Sequence, residues 1–361
     1  MAVFLMTGGG TGGHVIPAIA VARELRRRGH SPFFIGTRQG LESRLVPKEG
    51  MPLEFIEIGG LKRVGMRQTV RTMWQLPAAI LRSMRFIRTY KPVATFSMGG
   101  YVAGPVALAS WAMRVPIVVM EPNAMPGFVN RRIGKIAKRA LLTFVEAKQF
   151  FPEERVEMTG LPVRPEFFTL PVKERGGELT VLVTGGSRGS HRINEAGRLS
   201  WTMFQTRAVR WIHQAGSDDH GYLRDAFTAM GMRGEVVPFI DDMPRAYAQS
   251  DLVICRAGAG TVSELAAAGK PSILIPFPFA ADQHQLRNAE AMSNGGAARL
   301  IRDAELTGTL LWKEILALAD APGMLEQMGA RARSFARPGA AERAADILEE
   351  EAAADGRRKA G

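Results

Sequence analysis

A single cysteine, Cys255, stands among the 361 residues. A disulfide framework is therefore excluded, which suits a reducing compartment such as the cytoplasm. Cys255 ends the apolar run Leu252-Val253-Ile254 and reads as a small core residue rather than a nucleophile. The chain also lacks a long uninterrupted apolar stretch. The best spanning candidate, 101–120, is broken by Gly104, Pro105, Arg114 and Pro116, a pattern that fits a helix over 101–113 followed by a strand over 116–120. No signal peptide is expected, because the N-terminal apolar run is short and has no basic start. Acidic residues are scarce in the first part of the chain. Residues 1–160 carry 23 Lys and Arg against 10 Asp and Glu, whereas 161–361 carry 24 against 25. The net charge of +12 thus belongs to the first part, which is expected to meet something anionic: lipid head groups, nucleic acid or a diphosphate.

What is present is a pattern that begins twice. Val3-Phe4-Leu5-Met6-Thr7-Gly8-Gly9 is followed by His14, and Val181-Leu182-Val183-Thr184-Gly185-Gly186 is followed by His191, each histidine seven residues after its threonine. A strand that breaks into glycine and feeds a helix is the start of an open parallel sheet. Two starts predict two α/β domains with a ligand-binding cleft. Strands are expected at 3–6, 33–36, 55–58, 93–96, 117–120 and 140–143, then at 181–184, 210–213, 235–238, 252–255, 272–275 and 297–300. The first helix is expected to stop at Arg28 before Gly29. The turn Gly160-Leu161-Pro162-Val163-Arg164-Pro165 marks the linker. The reading is a first domain over 1–160, a second over 161–339, a helix over about 340–354 that can return to the first, and a basic tail over 355–361 expected to be disordered.

The loop Gly8-Gly9-Gly10-Thr11-Gly12-Gly13 formally matches G-x-G-x-x-G. Thr11, Gly12 and Gly13 would let a bulky anion lie against backbone amides. A dinucleotide site also wants an acid after the second strand, and Gly36-Thr37-Arg38 has none; Arg38 leaves an NADP reading open. His14, in the first turn of the following helix, is a candidate general base, since a helix N-terminus favours its neutral form. Gly185-Gly186-Ser187-Arg188-Gly189 matches the G-x-S-x-G elbow, for which Asp282 and His284 are poor partners. A phosphate cradle built from Ser187 and loop amides is the better reading. A third loop opens a helix with Arg256, Ala259, Gly260, Thr261, Val262, Ser263 and Glu264: a second anion-binding helix end, with Glu264 placed to accept ribose hydroxyls. Gln285, in a proline-rich turn, suits sugar hydroxyls. Asp241 and Asp242 read as a helix-capping turn, and neither metal nor cofactor is assigned. Between Arg67 and Lys91, the basic residues Arg67, Arg71, Arg82, Arg85 and Arg88 interleave with Trp74, Ile80, Met84 and Ile87. This basic amphipathic segment is expected to meet an anionic membrane surface. Nucleic acid is not expected, because no recognised binding motif is present.

Taken together, these residues resemble the MurG family, the peptidoglycan N-acetylglucosaminyltransferases that convert lipid I to lipid II. The resemblance runs from the first strand through Asn288. It rests on Gly8–His14 with Pro17, Met98-Gly99-Gly100-Tyr101, Glu121 with Asn123, Pro162-Val163-Arg164, Gly185-Gly186-Ser187, Phe239-Ile240-Asp241-Asp242-Met243, and Thr261-Val262-Ser263-Glu264 with Asp282 and Gln285. It implies a GT-B fold of two Rossmann-like domains, with UDP-N-acetylglucosamine in the C-terminal one. The lipid-linked diphosphate acceptor would lie on the N-terminal one, at the cytoplasmic face of the cell membrane. By the same resemblance Ile240 would contact uracil, Glu264 ribose, and Ser187, Thr261 and Arg256 the diphosphate. Asn123, Arg164 and Gln285 would contact the donor, and Glu121 is the alternative base to His14. The chain departs from the family's usual residues at Met120, Pro122, Arg188 and His284.

Overall fold

The structure is a computed structural model. It describes all residues except 11, 60–65, 172, 174–176, 205–207 and 361; the side chains of 66–73 and 358–360 are also outside the description. The chain divides into two compact units, 1–163 with 339–361, and 164–338.

Unit 1 alternates strand and helix: β1 (Val3–Thr7), α1 (Gly12–Arg27), β2 (Ser31–Gly36), α2 (Glu42–Lys48), β3 (Leu53–Phe55), α3 (Met66–Tyr90), β4 (Ala94–Ser97), α4 (Ala103–Ala112), β5 (Ile117–Glu121), α5 (Phe128–Ile133), β6 (Arg139–Leu142) and β7 (Val156–Met158). Every strand pairing is parallel, in the order β3-β2-β1-β4-β5-β6-β7. Unit 2 repeats the plan with β8 (Leu179–Thr184), α6 (His191–Trp201), β9 (Val209–Gln214), α7 (His220–Ala229), β10 (Arg233–Val237), α8 (Met243–Gln249), β11 (Leu252–Cys255), α9 (Ala259–Ala268), β12 (Ser272–Leu274), α10 (His284–Asn294), β13 (Ala298–Leu300), α11 (Gly308–Asp320) and α12 (Met324–Ser334). Its sheet runs β10-β9-β8-β11-β12-β13, again parallel throughout. Such strands read as continuous apolar runs because both faces are covered. In β11 all four residues are buried, Cys255 among them, and burial pushes its thiol far above the ordinary range.

In each sheet the chain winds outward from its first strand, then returns to the other side of it. The winding reverses between β1 and β4 in unit 1 and between β8 and β11 in unit 2. Ligands of doubly wound sheets bind at the carboxyl ends of the strands at this reversal. The loops there are 8–11 and 98–102 in unit 1, and 185–190 and 256–258 in unit 2. They include the glycine-rich segments that stand out in the sequence.

The last helix, α13 (Ala340–Ala360), packs on α1 within unit 1. Ala344, Ala345, Ile347 and Leu348 are all fully buried. Ile347 and Leu348 contribute about 1.5–3 kcal/mol each by burial, more than the helix's exposed ion pairs can supply. Those pairs set its position: Arg28 donates to Asp346 (2.6 Å) and Glu349 (2.8 Å), and Arg343 donates to Glu157 (2.5 Å), which Arg139 also meets. His30 Nδ1 accepts from Ala2 N, so its Nε2 carries the proton and donates to Glu349 (2.7 Å).

One expectation is corrected: residues 355–360 are not a disordered tail, because α13 continues to Ala360. Pro77 lies inside α3, on its exposed side. The short strand β7 is absent from the sequence reading, because its three half-buried residues carry no apolar run.

Candidate active site

In unit 1 the two loops at the winding reversal press on each other. A Cβ at Gly8 would stand 2.6 Å from Met98 Cβ, and one at Gly100 would stand 2.7 Å from the Gly9 carbonyl oxygen. Gly100 also has φ +80°, so both its space and its backbone exclude a side chain. Helix α1 begins at Gly12, Gly13 is exposed, and His14 is half-buried in the first turn. Thr11 lies outside the described residues.

Glu121 ends β5 and is 1% exposed. One carboxylate oxygen accepts from Asn123 N (2.9 Å) and Asn123 Nδ2 (3.1 Å); the other accepts from Asn130 Nδ2 (2.9 Å) and Gly127 N (3.3 Å). Burial raises its pKa to about 7 against the pull of these four donors. The side chain therefore organises the loop 121–127 and the start of α5. The departures Met120 and Pro122 flank it and are also buried. Asn123 is held half-buried by the same carboxylate.

In unit 2 the loop after β8 is equally tight. Gly189 has φ +74° and lies against the Ala215 carbonyl, while Gln214 Nε2 donates to the Gly186 carbonyl (2.8 Å). Ser187 and Arg188 stand exposed on this loop. Helix α9 starts beside it in sheet order. Val262 N already donates to Gly258 O (2.9 Å), so the open amides of its first turn are those of Ala259, Gly260 and Thr261. The Val262 side chain is 1% exposed in the core, so Val262 is not placed to touch a ligand. Ser263 is 8% exposed and its hydroxyl has no hydrogen-bond partner among the described residues. Glu264 lies farther along the helix, and burial raises its pKa to about 7, with Arg164 opposing. Arg164 itself stacks over Phe167 at 5.0 Å, and Phe167 meets Tyr247 edge-on at 5.2 Å.

Arg256 is the clearest correction in this unit. Its guanidinium is not turned out to a diphosphate. It pairs with Asp303 (2.5 Å), donates to the carbonyls of Ile275 and Pro276 (3.2 Å each) and to Ser190 Oγ (2.7 Å), and packs over the Phe277 ring. One side chain thus ties together the loops after β8, β11 and β12. Its pairing partner Asp303 is distant in sequence and carries no motif. Gln285 is likewise engaged, its Oε1 accepting from Phe277 N (2.9 Å). Asp282 and Gln283, both at φ near +50°, and His284, bonded to the Ala281 carbonyl (2.6 Å), complete this strained turn. Ile240 is half-buried, and Asp242 caps α8 through Arg245 N (3.1 Å), which accounts for the paired acids.

On α3, Ile87 is 2% exposed, and Ile80 and Met84 pack on the unit 1 core. These three are core residues and not a lipid-facing set, because their spacing turns them toward the sheet. Among the described residues its large exposed apolar side chains are Trp74 and Leu81, joined by Leu108 and Trp111 on α4, the helix packed beside it. Arg82, Arg85 and Arg88 are exposed; the side chains of Arg67 and Arg71 lie outside the described residues. Among the described residues no helix is long and apolar enough to cross a membrane, and no acid, histidine and cysteine group is arranged to hold a metal.

Two domain families match this architecture: the glycosyltransferase family 28 N-terminal domain over residues 4–142 and its C-terminal domain over 180–349. A UDP-N-acetylglucosamine–N-acetylmuramyl-(pentapeptide) pyrophosphoryl-undecaprenol N-acetylglucosamine transferase of Solibacter usitatus is 58% identical over 351 residues, covering 97% of this chain and 96% of its own. The chain belongs to the MurG family. A relative of the same name from Myxococcus xanthus is 41% identical, covering 95% of this chain and 91% of its own. The crystal structure of Acinetobacter baumannii MurG aligns with a TM-score of 0.84 at 30% identity, over 97% of this chain and all of that one. The fold is accordingly GT-B, with two Rossmann-like units. The structure also argues against the NADP reading. Arg38 is occupied over the Phe55 ring at 4.7 Å, and the acid near the end of β2, Glu42, is turned inward.

Because Arg256 joins the loops after β8, β11 and β12, it is expected to set the geometry of that end of the unit 2 sheet. Arg256→Ala should lower the thermal midpoint of unfolding and weaken UDP binding at least tenfold by titration calorimetry, because it strands Asp303 and releases three loops. Undiminished UDP affinity would remove Arg256 from this role.

Proposed function

We propose that this chain transfers N-acetylglucosamine from UDP-N-acetylglucosamine to the lipid-linked N-acetylmuramyl-pentapeptide, converting lipid I to lipid II in peptidoglycan synthesis. The observation that carries this is the end-to-end match to transferases of that activity, at up to 58% identity. In this reading unit 2 binds the donor at the carboxyl ends of β8 and β11. The diphosphate lies against the first-turn amides of α6 and α9 and the Ser187 hydroxyl, where helix N-termini favour negative charge. Glu264 accepts the ribose hydroxyls, Ile240 contacts uracil through its backbone, and Arg164, Asn123 and Gln285 serve the nucleotide sugar. Gly12, Gly13 and Thr11 line the acceptor side.

The chemistry is an inverting displacement. His14, as a neutral imidazole, takes the proton from the acceptor hydroxyl as its oxygen attacks the anomeric carbon. The bond to UDP breaks, and its growing charge falls on oriented amides that need no reorganisation. His14 suits the base role better than Glu121, whose carboxylate is 1% exposed and already takes four donors. Unit 1 further carries Trp74, Leu81, Leu108 and Trp111 on two packed helices, with Arg82, Arg85 and Arg88 exposed. That combination supports peripheral attachment to an anionic bilayer at the cytoplasmic face: apolar side chains enter the interface while guanidinium groups meet phosphates.

Three measurements test this reading. His14→Ala should reduce kcat with a lipid I analogue by about 10²–10⁴-fold and leave the donor Kd unchanged; retained turnover would reassign the base. Burial raises the Glu264 pKa to about 7, so above that pH both carboxylate oxygens accept and can take a pair of ribose hydroxyls, whereas protonation turns one of them into a donor. UDP-N-acetylglucosamine affinity should therefore fall as pH drops from 8 to 6, and Glu264→Gln should abolish the slope; a slope that persists in the variant would place ribose elsewhere. Leu81→Asp together with Trp74→Ser should lower co-sedimentation with anionic vesicles by at least fivefold without changing turnover of a short-chain soluble acceptor. Undiminished vesicle binding would move the membrane surface to another face.

A further inference from the structure

We propose that Glu42 is a positioning residue for the acceptor-side glycine loop, holding it through the Gly10 amide in the conformation that sets His14. The proposal rests on reading that loop as the acceptor site.

Glu42 is the first residue of α2 and is 1% exposed. Burying a carboxylate costs several kcal/mol unless partners compensate. No ion pair to it occurs among the described residues. Its compensation is three hydrogen bonds: Gly10 N donates to Oε2 (3.0 Å), and Thr37 N and Thr37 Oγ1 each donate to Oε1 (2.9 Å). The end of β2 and the glycine loop after β1 are therefore tied to one side chain.

The surrounding glycines reserve the space for it. A Cβ at Gly36 would stand 2.5 Å from Glu42 Cγ, one at Gly9 would stand 2.7 Å from Oε1, and one at Gly40 would overlap the carboxylate. Three glycines from two loops thus enclose a single acid. The network also reaches the neighbouring loop of the reversal. Thr37 Oγ1 lies 3.3 Å from Tyr101 Oη, and a Cβ at Gly10 would stand 2.9 Å from the Tyr101 ring. Gly10 is held from below by Glu42 and on its flank by Tyr101, and α1 with His14 begins two residues later.

An acceptor-only group is required here. Both backbone partners are N–H donors, and they reach opposite oxygens. Glutamine supplies one acceptor oxygen and turns an NH2 group on the other side, so one backbone donor is left facing another donor.

Glu42→Gln should lower kcat with a lipid I analogue about 10–100-fold and leave the UDP-N-acetylglucosamine Kd within twofold. Glu24→Gln is the control: Glu24 is also in unit 1, 8% exposed, and holds Arg27 and Arg28. It should cost stability without lowering kcat. Equal kcat losses in the two variants, or wild-type kcat in Glu42→Gln, would overturn the proposal. If Glu42→Gln does not fold, Gly9→Ala, which pushes on the same carboxylate, should give the same kcat-selective loss, and unchanged kcat there would overturn it. Amide hydrogen exchange at Gly10 gives a readout independent of turnover. Protection should fall at least tenfold in Glu42→Gln or Gly9→Ala, and unchanged protection refutes the tether. A wild-type chain inactive on lipid I analogues would instead refute the proposed reaction, leaving the exchange result to judge Glu42.

Discussion

Backbone must meet backbone at the carboxyl ends of the central strands in each sheet, and much of the site's architecture follows from that. In a doubly wound parallel sheet two loops leave adjacent strands at one end, and a ligand can be held there only if they approach closely. Here the approach excludes even a methyl group. Gly100 against the Gly9 carbonyl at the unit 1 reversal, and Gly189 against the Ala215 carbonyl where the loops after β8 and β9 meet, leave no room for a Cβ. In each unit the glycines bring backbone from neighbouring loops together, and helices begin from those loops: α1 in unit 1, α6 and α9 in unit 2. Affinity for a diphosphate then needs few side chains, because the oriented backbone supplies partial positive charge.

Loops stripped of side chains need to be held by something else, and the chain uses buried charged groups for the purpose. Glu42 grips the first glycine loop, Glu121 the loop after β5, and Arg256 three loops of unit 2 together. Glu42 and Glu121 are 1% exposed and Arg256 is half-buried, and each is engaged by donors or acceptors from the loops it holds. Glu264 differs. Its pKa is raised to about 7 by burial, and no hydrogen bond to it is seen among the described residues. A buried group whose needs the protein already meets is a scaffold, whereas one left to a ligand is a binding group. On that distinction Arg256, expected beside the diphosphate, and Glu121, the alternative base, have their bonding met within the protein, whereas Glu264 stays open as the candidate for ribose.

Helix α3 shows the same sorting on the surface. Its apolar residues at helical spacing divide between two destinations: Ile80, Met84 and Ile87 pack on the sheet, while Trp74 and Leu81 remain exposed. Periodicity alone cannot say which of two apolar stripes faces the core and which stays exposed.

The doubled strand-glycine-helix start, the parallel α/β class, most strands and the family motifs were legible in the amino-acid order, because each depends on neighbours within a few residues. Gly8–Gly13, Ser187, Thr261 and Glu264 stand out for that reason. Other features had to wait for the fold. Asp303 as the partner of Arg256, Asn130 on Glu121, Gly9 and Gly10 against Glu42, and the packing of Ile87 on the sheet all join residues that no local spacing relates. The identity of a side chain is written in the chain, but whether its charge faces a ligand or another part of the protein is settled only when distant strands and loops are packed together.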